Sequence, residues 1–288
     1  MSPKPSAKPR IAIVGAGNLA GALALSLRAA GYEIDQVIAR GQGASMRRAQ
    51  ALGRQVGASA VSAEQARIQA GIVWFCVPDG AIAGAAQSLA KAANWSGKVA
   101  LHSSGALASN ELGALQRRGA AVASVHPLMT FVRGSRPSLV DVPFALEGNH
   151  KALRAARAIV LHLGGRPFTI RKQHKAAYHA WGMFASPLLT ALLASTERVA
   201  GAAGVSRKAA RKRMLPILKQ TLANYARLGA PGAFSGPIVR GDVATVERHL
   251  SVLHRVPGAT EVYIALARAA LRDLPTKNRA GLEKILKR

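Results

Sequence analysis

Apolar positions along the chain follow two rhythms: short uninterrupted β-branched runs up to about Ile170, and long helical periods after it. Ile11–Val14 is the first run. Gly15–Gly17 break it, and Asn18–Ala30 resume with helix formers that stop at Gly31, so strand, tight turn and helix follow in order. Glu33–Ala39, Val56–Val61, Ile72–Val77, Lys98–His102, Ala121–Val125, Val142–Glu147 and Arg166–Ile170 read as further strands. Their nearly continuous hydrophobicity is that of a sheet covered on both faces. Helices are expected from a Ser62 cap to about Ala70, soon after Asp79, and over Lys151–Leu163. No fixed-period repeat accompanies this alternation, which is the pattern of a doubly wound sheet.

From Lys172 the period is helical throughout, over Lys175–Ala200, Ser206–Leu228, Asp242–Val256 and Gly258–Leu274, with a glycine- and proline-containing connection at Leu228–Arg240. The fold class is therefore α/β, a doubly wound Rossmann-like sheet domain followed by an all-helical domain. Residues 1–10 form a basic tail, 11–170 the sheet domain and 171–288 the helical domain.

The first turn carries chemistry. Gly15 permits a sharp bend, Gly17 lets the backbone approach a pyrophosphate, and small Ala20 and Gly21 let the helix pack close to the strand. Gly15, Gly17, Asn18 and Leu19 are thus expected to hold a dinucleotide pyrophosphate at a helix N-terminus. The second strand ends at Arg40, where an acid would bind the ribose hydroxyls of NAD; an Arg suits the 2′-phosphate of NADP. Ser45, Arg47 and Arg48 follow close behind. Val77, Pro78 and Asp79 end the fourth strand, at the edge where open α/β sheets hold ligands.

Composition narrows the partners. The 288 residues are 49% hydrophobic, enough for a sizeable core, and Cys76, the only cysteine, excludes an intramolecular disulfide and sits in a strand as a small core residue. A formal charge of +27 attracts anions, yet the densest basic run, Arg207–Arg213, has no aromatics to stack bases. A solvated basic surface is the better reading than a nucleic-acid interface. The basic leader and uncharged Ile11–Leu27 superficially imitate a secretory signal, but Gly15, Gly17, Asn18 and Gly21 interrupt the apolar stretch. A cytoplasmic location and no membrane span are expected.

Several side chains suit the chemistry of such a crevice. His102, Ser103 and Ser104 follow a strand, but the nucleophile pattern GxSxG is absent, so the serines are expected to orient a substrate through hydroxyl and backbone donors. His126 holds the matching place after the next strand. Lys175 and His179 share a helix face with Gly182 and Ser186, and either could give a proton to a carbonyl oxygen. Arg240, held between glycine-containing turns, could fork onto a substrate carboxylate, while Asp242 caps the next helix, which carries His249. No metal is expected: HExxH, CxxC and paired-carboxylate spacings are missing.

With GAGNLAG, VPDGAI, HSSGAL, VHPLMTF, KAAYHAWGMFAS and GPIVRGDVATVERHL in order, the chain resembles a Rossmann-like bacterial family with a C-terminal helical domain of uncharacterised function. Some members of that family act as alternative ketopantoate reductases. More distantly it is similar to the 6-phosphogluconate and β-hydroxyacid dehydrogenases and pyrroline-5-carboxylate reductases. The resemblance implies an NADPH-dependent reductase of a small anionic carbonyl compound, a 2-oxo acid with ketopantoate leading, and a homodimer. Two departures stand out. Lys175 matches the lysine of the β-hydroxyacid dehydrogenases but His179 replaces the asparagine four residues on, and Pro187 stands where the nearer family has an asparagine. Pro187 is expected to kink or restart the helix, with Ser186 as N-cap. These departures also leave open a non-catalytic NADP(H)-binding sensor.

Overall fold

The computed structural model describes residues 8–287, so most of the basic tail 1–10 lies outside it. Strand β1 (Ile11–Val14) enters the glycine turn and helix α1 (Asn18–Ala29), then β2 (Ile34–Ala39), α2 (Ala44–Val56) and β3 (Ser59–Ser62) follow. Strand β4 (Ile72–Phe75), α3 (Ile82–Leu89), β5 (Val99–His102), α4 (Gly113–Gln116) and β6 (Ala121–Pro127) continue the alternation. Last come β7 (Pro143–Gly148), α5 (His150–His162) and β8 (Arg166–Thr169). Among the described residues these strands form one sheet in the order β3-β2-β1-β4-β5-β6-β7-β8. All neighbours are parallel except β6 and β7. The chain reverses its direction of travel between β1 and β4, which puts a crevice at the carboxyl ends of those two strands.

Successive strand residues feed opposite cores. Ile11, Ile13, Ile72, Trp74 and Leu101 pack with α1, α2 and α5, whereas Ala12, Val14, Val73, Phe75 and Ala100 pack with Ile82 and Ala86 of α3 and Leu115 of α4. Burial on both sides is why the strands read as unbroken apolar runs. Each such Ile, Val or Phe withdrawn from water contributes roughly 1.5–3 kcal/mol.

Two expectations about local structure fail here. Ser62 starts no helix: it ends β3, and its hydroxyl accepts from Gln65 N at 3.3 Å in a local turn after which the chain runs to β4 without regular structure. The third strand also begins later than Val56, which closes α2.

Beyond β8 the chain is helical: α6 (Lys175–Met183), a π-helical turn at Phe184–Leu188, α7 (Leu189–Ala202), α8 (Arg207–Ala233), α9 (Pro237–Arg240), α10 (Val243–Leu253), α11 (Ala259–Asp273) and α12 (Arg279–Leu286). Pro187 is absorbed by the π turn, and Ser186 is not an N-cap; its carbonyl accepts from Thr190 Oγ1 instead. Ser206 and Asp242 do cap α8 and α10, accepting from Ala209 N and Thr245 N. Gly229, at φ 69°, breaks the helical path within α8. Helix α12 has no counterpart among the expected elements. Compact units divide between Met183 and Phe184 rather than at residue 170, because α6 sends Lys175 and Tyr178 into burial on the sheet side. Among the described residues no single helix is long and apolar enough to cross a membrane.

Candidate active site

At the first turn Gly15 has φ +100°, and a Cβ there would lie 2.5 Å from the carbonyl oxygen of Cys76. No other residue fits between β1 and β4 so closely. A Cβ on Gly17, by contrast, would meet nothing within 4 Å, so the approach to the first amides of α1 is open. Asn18 Nδ2 donates to Phe131 O at 3.2 Å and Leu19 is half-buried against the core. A cavity of about 260 Å³ lies beside this turn, lined by Gly17, Asn18, Arg48, Gln55, Ser135 and Arg136. Arg40 is exposed directly after β2. Open backbone donors and unburied guanidinium groups are a donor set suited to a phosphorylated dinucleotide.

The carboxyl ends of β4, β5 and β6 carry a second cluster. Val77 is half-buried and Pro78 and Asp79 are exposed. Asp79 Oδ2 accepts from Ser104 Oγ at 2.8 Å, and the same hydroxyl accepts from Ala106 N and Leu107 N. Ser103 Oγ accepts from Trp74 Nε1 at 2.8 Å. Both serines are thus engaged within the chain, Ser104 wholly and Ser103 through one lone pair. Cys76 is buried behind them, and burial pushes its thiol up to about 12, which suits a core residue.

Lys175 is 1% exposed. Its Nζ donates to Ser104 O at 2.8 Å and to Ser124 Oγ. Burial lowers its pKa to about 8, against the opposing pull of Glu147 and Asp79. Glu147 is itself buried, accepting from Ser109 N and Ser109 Oγ at 2.7 and 2.9 Å. Lys175, Ser124, Ser109 and Glu147 so form a buried, hydrogen-bonded polar layer beneath the rim.

The rim histidines differ. His102 is fully buried; Nδ1 accepts from Ser104 N at 3.1 Å and Nε2 bonds Ala108 O at 3.0 Å, so both ring nitrogens are spent. Burial drops its pKa to about 4, and it is a structural residue. His126 is half-buried and bonds Tyr178 OH through Nδ1 at 2.7 Å, with the rings edge to face. His179 stands with its ring centroid 6.5 Å from that of His126. A Cβ on Gly105 would come within 2.9 Å of both imidazoles, so the HSSG glycine makes room for the pair.

The structure therefore brings together Asp79, Ser104, His126, Lys175 and His179, and adds Ser124, Glu147 and Tyr178. Tyr178 had a legible signal, three residues after Lys175 on the same helix face. Ser124 shows as a polar residue two positions before His126 in an apolar strand. Arg240 belongs to the other compact unit, exposed at the end of α9, and His249 there pairs with Tyr263 at 3.0 Å.

Comparison with known proteins adds two family models, a Rossmann-like domain over residues 3–127 and a domain of unknown function, DUF2520, over residues 142–270. No curated protein matches the chain. Among solved structures it is similar to a Bacteroides fragilis protein provisionally described as an NADP oxidoreductase, at 22% identity over 91% of this chain and 97% of that one, with a TM-score of 0.77. A Thermotoga maritima protein is similar at 24% identity over 96% and 100% of the two chains, TM-score 0.71. A reductive aminase from Aspergillus terreus, in complex with NADPH and ethyl-5-oxohexanoate, matches at 17% identity over 96% and 99%, TM-score 0.63. At these identities the likeness establishes a shared fold.

Proposed function

From a chain that joins a Rossmann-like domain to a DUF2520 domain, we propose an NADP(H)-dependent reductase of a small carbonyl or imine compound. One observation carries the reading. The open glycine turn with Arg40 beside it and the polar rim of Asp79 and His126, with His179 of α6 against it, lie at the carboxyl ends of the mutually parallel strands β1, β2, β4 and β6 of one sheet. The NADPH and carbonyl ester held by the Aspergillus terreus neighbour support the same class of chemistry.

Gly15, Gly17, Asn18 and Leu19 hold the pyrophosphate through backbone donors, Arg40 takes the 2′-phosphate, and Val77–Asp79 line the crevice. Bound NADPH supplies a hydride to the electrophilic carbon. Lys175 supplies positive charge beneath the rim, His179 lines it, and Ser103 and Ser104 fix its shape. A 2-oxo acid such as ketopantoate is the first substrate to try. Helix α8 exposes Leu215, Leu222 and Tyr225 while burying only Ala210, and the occupant that fits is a second copy of the chain. The sheet unit then serves the cofactor and the helical unit the homodimer.

NADPH oxidation followed with panels of 2-oxo acids, ketones and imines tests the reading, and no turnover of any sinks it. Arg40→Ala is expected to weaken NADPH about tenfold and leave NADH unchanged; equal losses for both would remove Arg40 from the 2′-phosphate. The full burial of Lys175 favours one other reading, a non-catalytic NADP(H) sensor. Tight NADPH binding without turnover, unmoved by Lys175→Ala, would establish it.

A further inference from the structure

We propose that His126 and Tyr178 are the proton-delivery pair of this site, and that Lys175 is a positioning residue beneath them. The inference rests on the reductase reading and names which of its polar groups meets the reacting oxygen.

Lys175 is poorly placed to donate. Its amine is enclosed and already spends two of its protons on Ser104 O and Ser124 Oγ. Those two acceptors lie on the segments that carry Asp79's partner and His126, so the ammonium ties the β5 end to the β6 end. His102 is closed off on both nitrogens. His126 is different. Tyr178 is 6% exposed, and its hydroxyl has His126 Nδ1 as its partner among the described residues. A buried hydroxyl proton is satisfied by pointing at that nitrogen, which makes Nδ1 an acceptor and places the ring proton on Nε2. Nε2 itself has no partner within the described chain, and it sits over Gly105 next to His179 at the rim.

Protonation states fit a relay. Burial, Lys175 and His179 hold the His126 imidazolium down to about 4, with Asp79 opposing, so the ring is neutral near pH 7. Burial pushes the Tyr178 phenol up to about 12. A neutral imidazole then polarises a carbonyl oxygen as a hydrogen-bond donor and passes on a proton it receives from behind. In the step, the carbonyl carbon gains hydride from the reduced nicotinamide and the C=O π pair moves onto oxygen. That oxygen takes the Nε2 proton of His126, Nδ1 takes the hydroxyl proton of Tyr178, and the tyrosinate regains a proton from water. Oxidation of the nicotinamide balances reduction of the carbon.

The test uses the full chain and Tyr178→Phe, which removes one hydroxyl and keeps the ring packed against Phe168 and Trp181. Nitrogen-15 histidine NMR of the protein without cofactor should show His126 with its proton on Nε2, and the Nδ1 resonance should shift in Tyr178→Phe. Turnover should fall roughly 100-fold with NADPH affinity held within about twofold, and the solvent isotope effect should shrink. A wild-type ring protonated on Nδ1, or Tyr178→Phe turnover within about twofold of wild type, overturns the pair alone. Absence of turnover with every carbonyl and imine in wild type, despite bound NADPH, overturns the reductase reading and the pair with it.

Discussion

The sheet unit and the helical unit bury their apolar residues in different ways. In the sheet unit Trp74, Phe75, Trp95 and Phe144 are all at or below 1% exposure, and helices cover both faces of the strands. Among the described residues the helical unit has two small cores, one around Val246, Leu271 and Leu282 and one around Leu253 and Val256. It leaves Ile217 67% and Leu222 60% exposed along α8, and an apolar groove of about 570 Å³ open between α7, α10 and α11. The sheet completes its own interior; the helical bundle presents apolar surface that a second copy of the chain is proposed to cover.

The largest expected effect tests that contrast directly. Trp74→Ala empties a fully buried site and strands the Ser103 hydroxyl, and it is expected to destabilise the sheet unit by roughly 3–5 kcal/mol in urea titration. Leu222→Ala should change the stability of a dilute sample by less than about 0.5 kcal/mol. The same change should weaken self-association in sedimentation. A monomeric wild type, or a Leu222→Ala protein that dimerises as tightly as wild type, would break the proposed cover.

Buried titratable groups give the next effect, and His102 and Lys175 of the sheet unit carry it. His102 is held neutral, its pKa dropped to about 4 from 6.5 by burial. Unfolded chains bind its proton between those values and the native state does not, so the contribution is present above pH 6.5 and is lost as pH falls through 4. For so enclosed a ring this amounts to about 3 kcal/mol, of which His102→Asn should lose the pH dependence. Lys175 behaves alike at the other end. With a native pKa near 8 against 10.5, it makes stability rise between those pH values, and Lys175→Met should flatten that rise in urea midpoints measured from pH 7 to 10. A slope unchanged in the variant would mean that the ammonium is hydrated in the native state.

Legibility in the sequence divides along the same line. Strands covered on both faces announce themselves as apolar runs, so β1, β4, β5 and β6 are readable, and with β1 and β2 the places of the glycine turn at Gly15 and of Arg40 in the chain. Ser62 misled because a serine that closes a two-residue turn onto Gln65 has the same local signature as a helix cap. Pro187 misled because a π turn can accommodate the missing amide that would otherwise stop the helix. The site residues left unread, Tyr178, Ser124 and Glu147, make their contacts across elements far apart in the chain, and no local spacing encodes which polar residue of a strand meets which of a helix. The serines were expected to face a substrate; their partners Asp79 and Trp74 come from β4 and the turn after it, a pairing that strand order alone decides.

The smallest effect is the one that separates the two units most finely, because it asks whether helix ends share the stability of what they are attached to. Asn149 Oδ1 accepts from Ala152 N at 3.2 Å and caps α5, whose Ala152, Ala156, Ile159 and Val160 are buried against the sheet. That helix cannot fray without exposing core, so Asn149→Ala should lower global stability by about 1 kcal/mol in denaturant titration. Ser206 Oγ accepts from Ala209 N at a longer 3.4 Å and caps α8, where Ala210 is the one buried residue. There the first turn can open alone. Ser206→Ala should leave the global midpoint in place and speed hydrogen exchange of the first α8 amides by a few-fold, corresponding to a few tenths of a kcal/mol. Equal shifts in both variants would show α8 to be as firmly bound into its unit as α5 is into the sheet, and the distinction between a closed and an open core would fail.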